Sequence, residues 1–269
     1  MHSFSRRSAL LATAGAAALL QGCAYSAAAG HARPRHYVLV HGAWHGGWAW
    51  SKAAPLLRAA GHTVSVPTLS GLGERAHVAA GTSGLHVHVQ DVTAHLMMED
   101  LRDVVLVGHS YAGCVVSGVL GERTGRVAHA VYVDALVPMQ GQSLASFVPA
   151  PVKAEYEKLA ARHAVVPPRP PEAWGSMWGI TDPAMVAWAT PRIVPQAARS
   201  FTETVQGDPM AEDVRRSFLK CAQNPNPLFK SIGAGIQRDA RYQYAEVDGH
   251  HDVMLLDAPR FVEALLKLG

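Results

Sequence analysis

The sequence predicts an α/β fold: a mostly parallel sheet with helices on both faces and a helical insertion in its second half. Three observations carry this. From His36 onward, short β-rich runs alternate with stretches of helical periodicity, the pattern of repeated βαβ units. Val38-Leu39-Val40 and Val104-Val105-Leu106-Val107 are continuous apolar runs, as expected of central strands covered on both faces. The rhythm then breaks between Ala135 and Glu212, where Pro167-Pro168 and Pro170-Pro171 accompany Trp174, Trp178 and Trp188. Structureless loops of that length are rare in compact domains, so the stretch of about 136–212 is read as a cap with helices of its own.

The strands expected in order are His36 to His41, His62 to Pro67, Asp103 to His109, Arg126 to Asp134, Arg215 to Ala222 and Tyr242 to Val247. Helical patterns cover Ser51 to Ala60, His86 to Met98, Tyr111 to Leu120, Pro227 to Ile236 and Pro259 to Leu266, with Gly or Pro marking their ends. Of the 269 residues 49% are hydrophobic and 17% charged, enough apolar material for a large core. The 24 basic against 21 acidic residues form no basic run able to neutralise a row of phosphates, which argues against nucleic acid as a partner.

Residues 1–30 have the layout of an export signal: the pair Arg6-Arg7, an apolar run from Ala9 to Leu20, then small residues. The run is short and mostly Ala and Gly, unlike a permanent membrane span. Ser5 to Leu11 is similar to a twin-arginine signal, and Leu20-Gln21-Gly22-Cys23 resembles a bacterial lipoprotein box. An exported protein is expected, periplasmic or anchored to a membrane by a lipid on Cys23, with residues 31–269 as the folded domain; cleavage near Ala27 to Ala29 would instead discard Cys23. Cys114 and Cys221 lie in apolar segments and are read as small buried hydrophobes.

The chemistry concentrates at Gly108-His109-Ser110-Tyr111-Ala112-Gly113, a tight turn between a strand and a helix with a serine at its apex. An unactivated hydroxyl becomes a nucleophile when it is exposed, close to a base, and followed by a backbone N–H that can meet the oxyanion. In the pattern G-x-S-x-G the final Gly is replaced here by Ala112, with Gly113 one step later.

This elbow, together with Tyr37-Val38-Leu39-Val40-His41-Gly42-Ala43-Trp44-His45-Gly46-Gly47-Trp48, resembles the α/β-hydrolase superfamily, in its branch of small carboxylesterases and plant-type hydroxynitrile lyases. The resemblance runs from about Tyr37 to Leu268 and implies the α/β-hydrolase fold with about six strands. It also implies an oxyanion hole from the backbone N–H groups of Ala43 and Tyr111. The base follows the last strand, in Gly249-His250-His251-Asp252; aligning Asp252 and Met254 selects His251, with His250 as the alternative. The acid usually follows the penultimate strand, but Cys221 to Pro227 offers only amides there. Asp134, at the end of the preceding strand, is the choice, since some branches place the acid there; Asp239 and Asp252 are the other candidates.

Two further patterns carry no chemistry in this reading. Gly71-Leu72-Gly73-Glu74-Arg75-Ala76 superficially fits a dinucleotide turn but is not followed promptly by a helix. His88, Asp91 and His95 share a helical face, with His86 nearby, and are read as solvated rather than as a metal site. No cofactor and no metal are implied. The expected activity is a serine hydrolase of small to medium carboxylic esters, lactones included, with Trp174, Met177, Trp178, Met185 and Trp188 as an apolar cap lining or the cap's own core. A hydroxynitrile lyase is the alternative, although lyases of this branch carry Lys after the base and Thr at the position of Gly42. A non-catalytic ligand-binding protein on the same scaffold is a third reading.

Overall fold

The computed structural model describes residues 33–269; the expected export signal and Cys23 lie outside them. Six parallel strands form the central sheet: β1 (His36–Val40), β2 (Thr63–Ser65), β3 (Val104–His109), β4 (Val127–Val133), β7 (Arg215–Cys221) and β8 (Gln243–Val247). Their spatial order is β2-β1-β3-β4-β7-β8. Tyr37 pairs with Val105 and Val107 with Val131, so the two apolar runs lie at the sheet's centre.

Alternation along the strands explains the helices on both faces. Val38, Val40, Leu106 and Tyr132 point to one side, where they pack against α2 (Leu85–Met98), α3 (Ala112–Gly121) and α8 (Pro227–Ile236). Tyr37, Leu39, Val107 and Val133 point to the other, against α1 (Ala53–Ala59), α9 (Val253–Leu256) and α10 (Ala258–Lys267). The second strand is shorter than expected. It is the edge of the sheet, pairs only with β1, and stops before Pro67, which has no N–H for a ladder.

Between β4 and β7 lie α4 (Ala150–Ala161), β5 (Val165–Val166), α5 (Trp174–Trp178), α6 (Pro183–Ala189), β6 (Gln196–Ala197) and α7 (Arg199–Thr202). Asp182 starts α6 by accepting from the amides of Ala184 and Met185, with Pro183 in the first turn where no N–H is needed. The antiparallel pair of β5 and β6 was not anticipated, since two-residue strands leave no periodicity to read. Trp174, Trp178, Ile180, Ala189 and Ile193 form a separate apolar cluster, which Leu255 of α9 joins. Among the described residues no helix is long and apolar enough to cross a membrane.

Candidate active site

The serine turn is shaped by close approach. Ser110 sits at φ +56, a left-handed conformation that side-chain-bearing residues rarely adopt, and its amide donates to Val133 O of the neighbouring strand. A Cβ on Gly108 would lie 2.6 Å from Val116 Cγ2 and 2.8 Å from Ala112 O. One on Gly113 would lie 1.8 Å from Leu136 O, so the tightest demand for glycine falls one step after Ala112. That displacement accounts for the Ala in the motif.

His251 follows β8, and its Nε2 accepts from Ser110 Oγ at 2.9 Å while its Nδ1 donates to Asp134 Oδ2 at 2.6 Å. The structure therefore brings Ser110, His251 and Asp134 into one chain of hydrogen bonds. His250 is exposed and packs against Gly179 of the cap rather than the serine. Asp239 pairs with Arg241, and Asp252 turns toward His45.

Asp134 closes β4 at φ +42 and is fully buried. Its Oδ1 meets Lys220 Nζ at 2.8 Å and accepts from the Cys221 amide at 3.4 Å. Asn224 donates to its Oδ2 at 2.5 Å, and the Asn226 amide donates to Asn224 Oδ1, which fixes the orientation of the side-chain amide. Burial pushes the Asp134 carboxyl up, but the hydrogen bond and charge of His251 and the Lys220 ammonium outweigh it and bring it down to about 2. Sequence reasoning missed Lys220 and Asn224. The signal was present for Asn224, which occupies the segment the resemblance reserves for an acid.

Ala43, Ser110 and Tyr111 all line one cavity of about 170 Å³. Among the described residues neither backbone N–H donates to a protein acceptor, so both are available to an oxyanion. The Ala43 loop is turned by Trp44 at φ 64, whose amide donates to Gln196 Oε1 and whose indole donates to Val166 O. The Tyr111 hydroxyl meets His88 Nδ1 at 2.8 Å. His88 is thus fully buried, which corrects the expectation of a solvated histidine face. Helical spacing groups His88 with Asp91 but cannot say which face packs inward; here Asp91 holds the Ser70 amide and hydroxyl. His95 lies in the last turn of the same helix.

Trp44, Leu136, Tyr156, Met177, Trp178 and Phe229 are among the residues of the cavity wall. Of the expected cap lining, Met177 and Trp178 reach the cavity, whereas Trp174, Met185 and Trp188 pack in the cap's own apolar cluster. Cys114 and Cys221 are free and buried, and burial raises both thiols, consistent with packing roles.

The model of the "Alpha/beta hydrolase family" matches residues 37–265. The chain belongs to the alpha/beta hydrolase family. This hydrolase is 33% identical over 246 residues to the carbendazim hydrolyzing esterase of Nocardioides sp. (strain SG-4G), covering 87% of this chain and 99% of that protein. It is 38% identical over 109 residues to salicylic acid-binding protein 2 of Nicotiana tabacum, a match covering 39% of this chain and 40% of that protein. Among solved structures, an extracellular alpha/beta-hydrolase from a Paenibacillus species superposes with a TM-score of 0.76 at 23% identity, covering 88% of this chain and 99% of that one. In the hydrolase described here, a Cβ on Gly42 would lie 2.9 Å from His109 Nδ1 and 3.1 Å from Ser110 Cβ. A side chain at that position, such as the threonine expected of the lyases, requires the His109 ring to shift and Ser110 Cβ to give by a few tenths of an ångström.

Proposed function

We propose that this hydrolase is a serine esterase that cleaves neutral carboxylic esters through an acyl-enzyme. The observation carrying the reading is the continuous chain from Asp134 to His251 at 2.6 Å and from His251 to Ser110 at 2.9 Å. In this mechanism His251 takes the Ser110 proton as Oγ attacks the ester carbonyl, and returns it to the departing alkoxide. Asp134 holds the imidazole in the tautomer that leaves Nε2 free to accept, and offsets the imidazolium charge as it forms. The amides of Ala43 and Tyr111 stabilise the oxyanion, where loss of one donor typically costs about 3 to 4 kcal/mol. Water then enters the same cycle, activated by His251, and releases the acid.

The cavity supports the substrate class. Among the described residues its lining includes no Asp, Glu, Lys or Arg side chain, and its polar contributions beyond the serine turn and His251 come from Tyr156 and Asn226. Neutral apolar and aromatic esters of small to medium size suit such a wall, and lactones present the same carbonyl. The named relative makes carbendazim a direct candidate for assay. Gly42 and Asp252, standing where lyases of this branch carry Thr and Lys, favour the esterase over the lyase.

A serine-directed fluorophosphonate tests the mechanism: one label on Ser110, with ester turnover abolished in Ser110→Ala, is the expected result. Labelling at another residue, or a bound ligand without multiple turnover, overturns it. We also propose that the protein is exported through residues 1–30, with Cys23 as the site of a lipid anchor. Fractionation of the expressing bacterium, with mass measurement of the mature N-terminus, tests both.

A further inference from the structure

The residue that follows the base begins a second buried chain of hydrogen bonds. Asp252 Oδ2 lies 3.0 Å from His45 Nε2, and His45 Nδ1 lies 2.6 Å from the carbonyl oxygen of Ala43. Asp252 is fully buried and His45 1% exposed, so water does not compete for either contact. Both ring nitrogens of His45 therefore face acceptors, a carboxylate and a carbonyl, and both donate when the ring is an imidazolium. The ring is also clamped sideways: it stacks on Trp48 with centroids 5.0 Å apart and meets Trp178 edge-on at 4.9 Å.

Ala43 has two roles at its two ends. Its carbonyl is the end of this chain, and its N–H is one of the two amides beside Ser110. The Ala43 carbonyl shares its rigid peptide plane with the Trp44 N–H, which donates to Gln196 Oε1 at 2.9 Å, so His45 and Gln196 hold that plane from both sides, and the Ala43 amide is joined to it through a single Cα with two soft dihedrals. The loop needs this, because Trp44 immediately after it is held at φ 64, outside the broad allowed regions. Asp252 is in turn anchored to the cap, its amide donating to Trp178 O at 3.1 Å.

We propose that Asp252 and His45 are a positioning pair for the oxyanion hole. They run parallel to Asp134 and His251, so the loop after β8 supplies the base from one residue and the support for the oxyanion loop from the next. This rests on the esterase reading. It goes beyond that reading in assigning a function to a carboxylate and a histidine that proton transfer does not use.

The test compares an oxoester with its thionoester, in which sulfur replaces the carbonyl oxygen. The base acts alike on both, whereas a hole set for oxygen favours the oxoester, so the ratio of their kcat values reports on the hole. His45→Phe keeps the ring stack and removes both hydrogen bonds. It is expected to lower kcat for the oxoester about ten- to a hundredfold with KM little changed, and to lower the oxoester-to-thionoester ratio. Asp252→Ala should do the same, and the double variant should be no worse than either single, since both cut one chain. Asp252→Asn is the conservative rescue: its amide can donate to Nε2 of a neutral His45 whose Nδ1–H still reaches Ala43. Its oxoester-to-thionoester ratio should stay near that of the unsubstituted enzyme, even if His45→Phe fails to fold. Equal loss on both esters in His45→Phe, an unchanged kcat, additive single effects, or a collapsed ratio in Asp252→Asn overturns the pairing. Absence of ester turnover in the unsubstituted protein, by contrast, overturns the esterase reading itself.

Discussion

Replacing Asp134 by Asn probes the site at its most connected atom. In the native chain the carboxylate accepts from His251 Nδ1 at 2.6 Å, and the Asn224 amide nitrogen lies beside the same ring nitrogen at 3.1 Å. Asp134→Asn puts two amides around Nδ1, and an amide N–H stabilises the tautomer in which Nδ1 accepts. Nε2 then carries the proton and cannot take one from Ser110. A wrong tautomer in such a triad costs about 10⁴ in kcat, equivalent to about 5 kcal/mol of transition-state stabilisation. A stability cost adds to this, because Lys220 at 2.8 Å loses its buried partner; breaking such a pair from one side costs about 3–5 kcal/mol. Ester hydrolysis under saturating substrate and urea unfolding followed by fluorescence measure the two effects separately. The second-site variant Asp134→Asn with Asn224→Asp returns a carboxylate to the same ring nitrogen and should recover part of the lost kcat. If Asp134→Asn keeps more than about a tenth of the activity, the tautomer argument is refuted. If the second-site variant recovers nothing, Asn224 does not share the acid's place.

Other outcomes follow from the same geometry. Lys220→Met should destabilise the fold by about 3–5 kcal/mol in urea titration, since it leaves the Asp134 charge buried with neutral donors and His251. The pH dependence has a definite sign: the Asp134 carboxyl is lowered from 3.8 to about 2 on folding, so the unfolded chain takes up the proton first as pH falls. The stability it contributes is complete above about pH 4 and disappears as pH falls toward 2, so the urea midpoints of the unsubstituted protein and Asp134→Asn should converge across that window. Gly113→Ala should be destabilised by at least about 1–3 kcal/mol or fail to accumulate, because its Cβ would meet the Leu136 carbonyl at 1.8 Å and backbone must move. The proposed export route, which rests on the sequence of residues 1–30 rather than on this geometry, is checked by replacing Arg6 and Arg7 with Lys: the precursor should then stay in the cytoplasmic fraction on an immunoblot of fractionated cells.

Local pattern made much of this protein legible. Continuous apolar runs and helical periodicity depend on neighbours in sequence, so the central strands and flanking helices could be read to within a few residues, as could Ser110 at the turn between β3 and α3. The pairing of Ser110 with His251 and of His251 with Asp134 spans 141 and 117 positions. Motif and resemblance named those residues, yet only the sheet order, which sets β4 beside β7 and β7 beside β8, brings them to one end of the sheet. The tertiary structure alone decided the rest. Lys220 reads as an ordinary strand residue, Asn224 as an amide in a turn and Asp252 as an alternative acid until packing sets the first two against Asp134 and the third against His45. His88 shows the same limit from the other side, because periodicity fixes which residues share a face, while burial depends on what the fold lays against that face. Hydrogen-bond partners of buried charges are chosen by proximity in space, a property that sequence order does not carry.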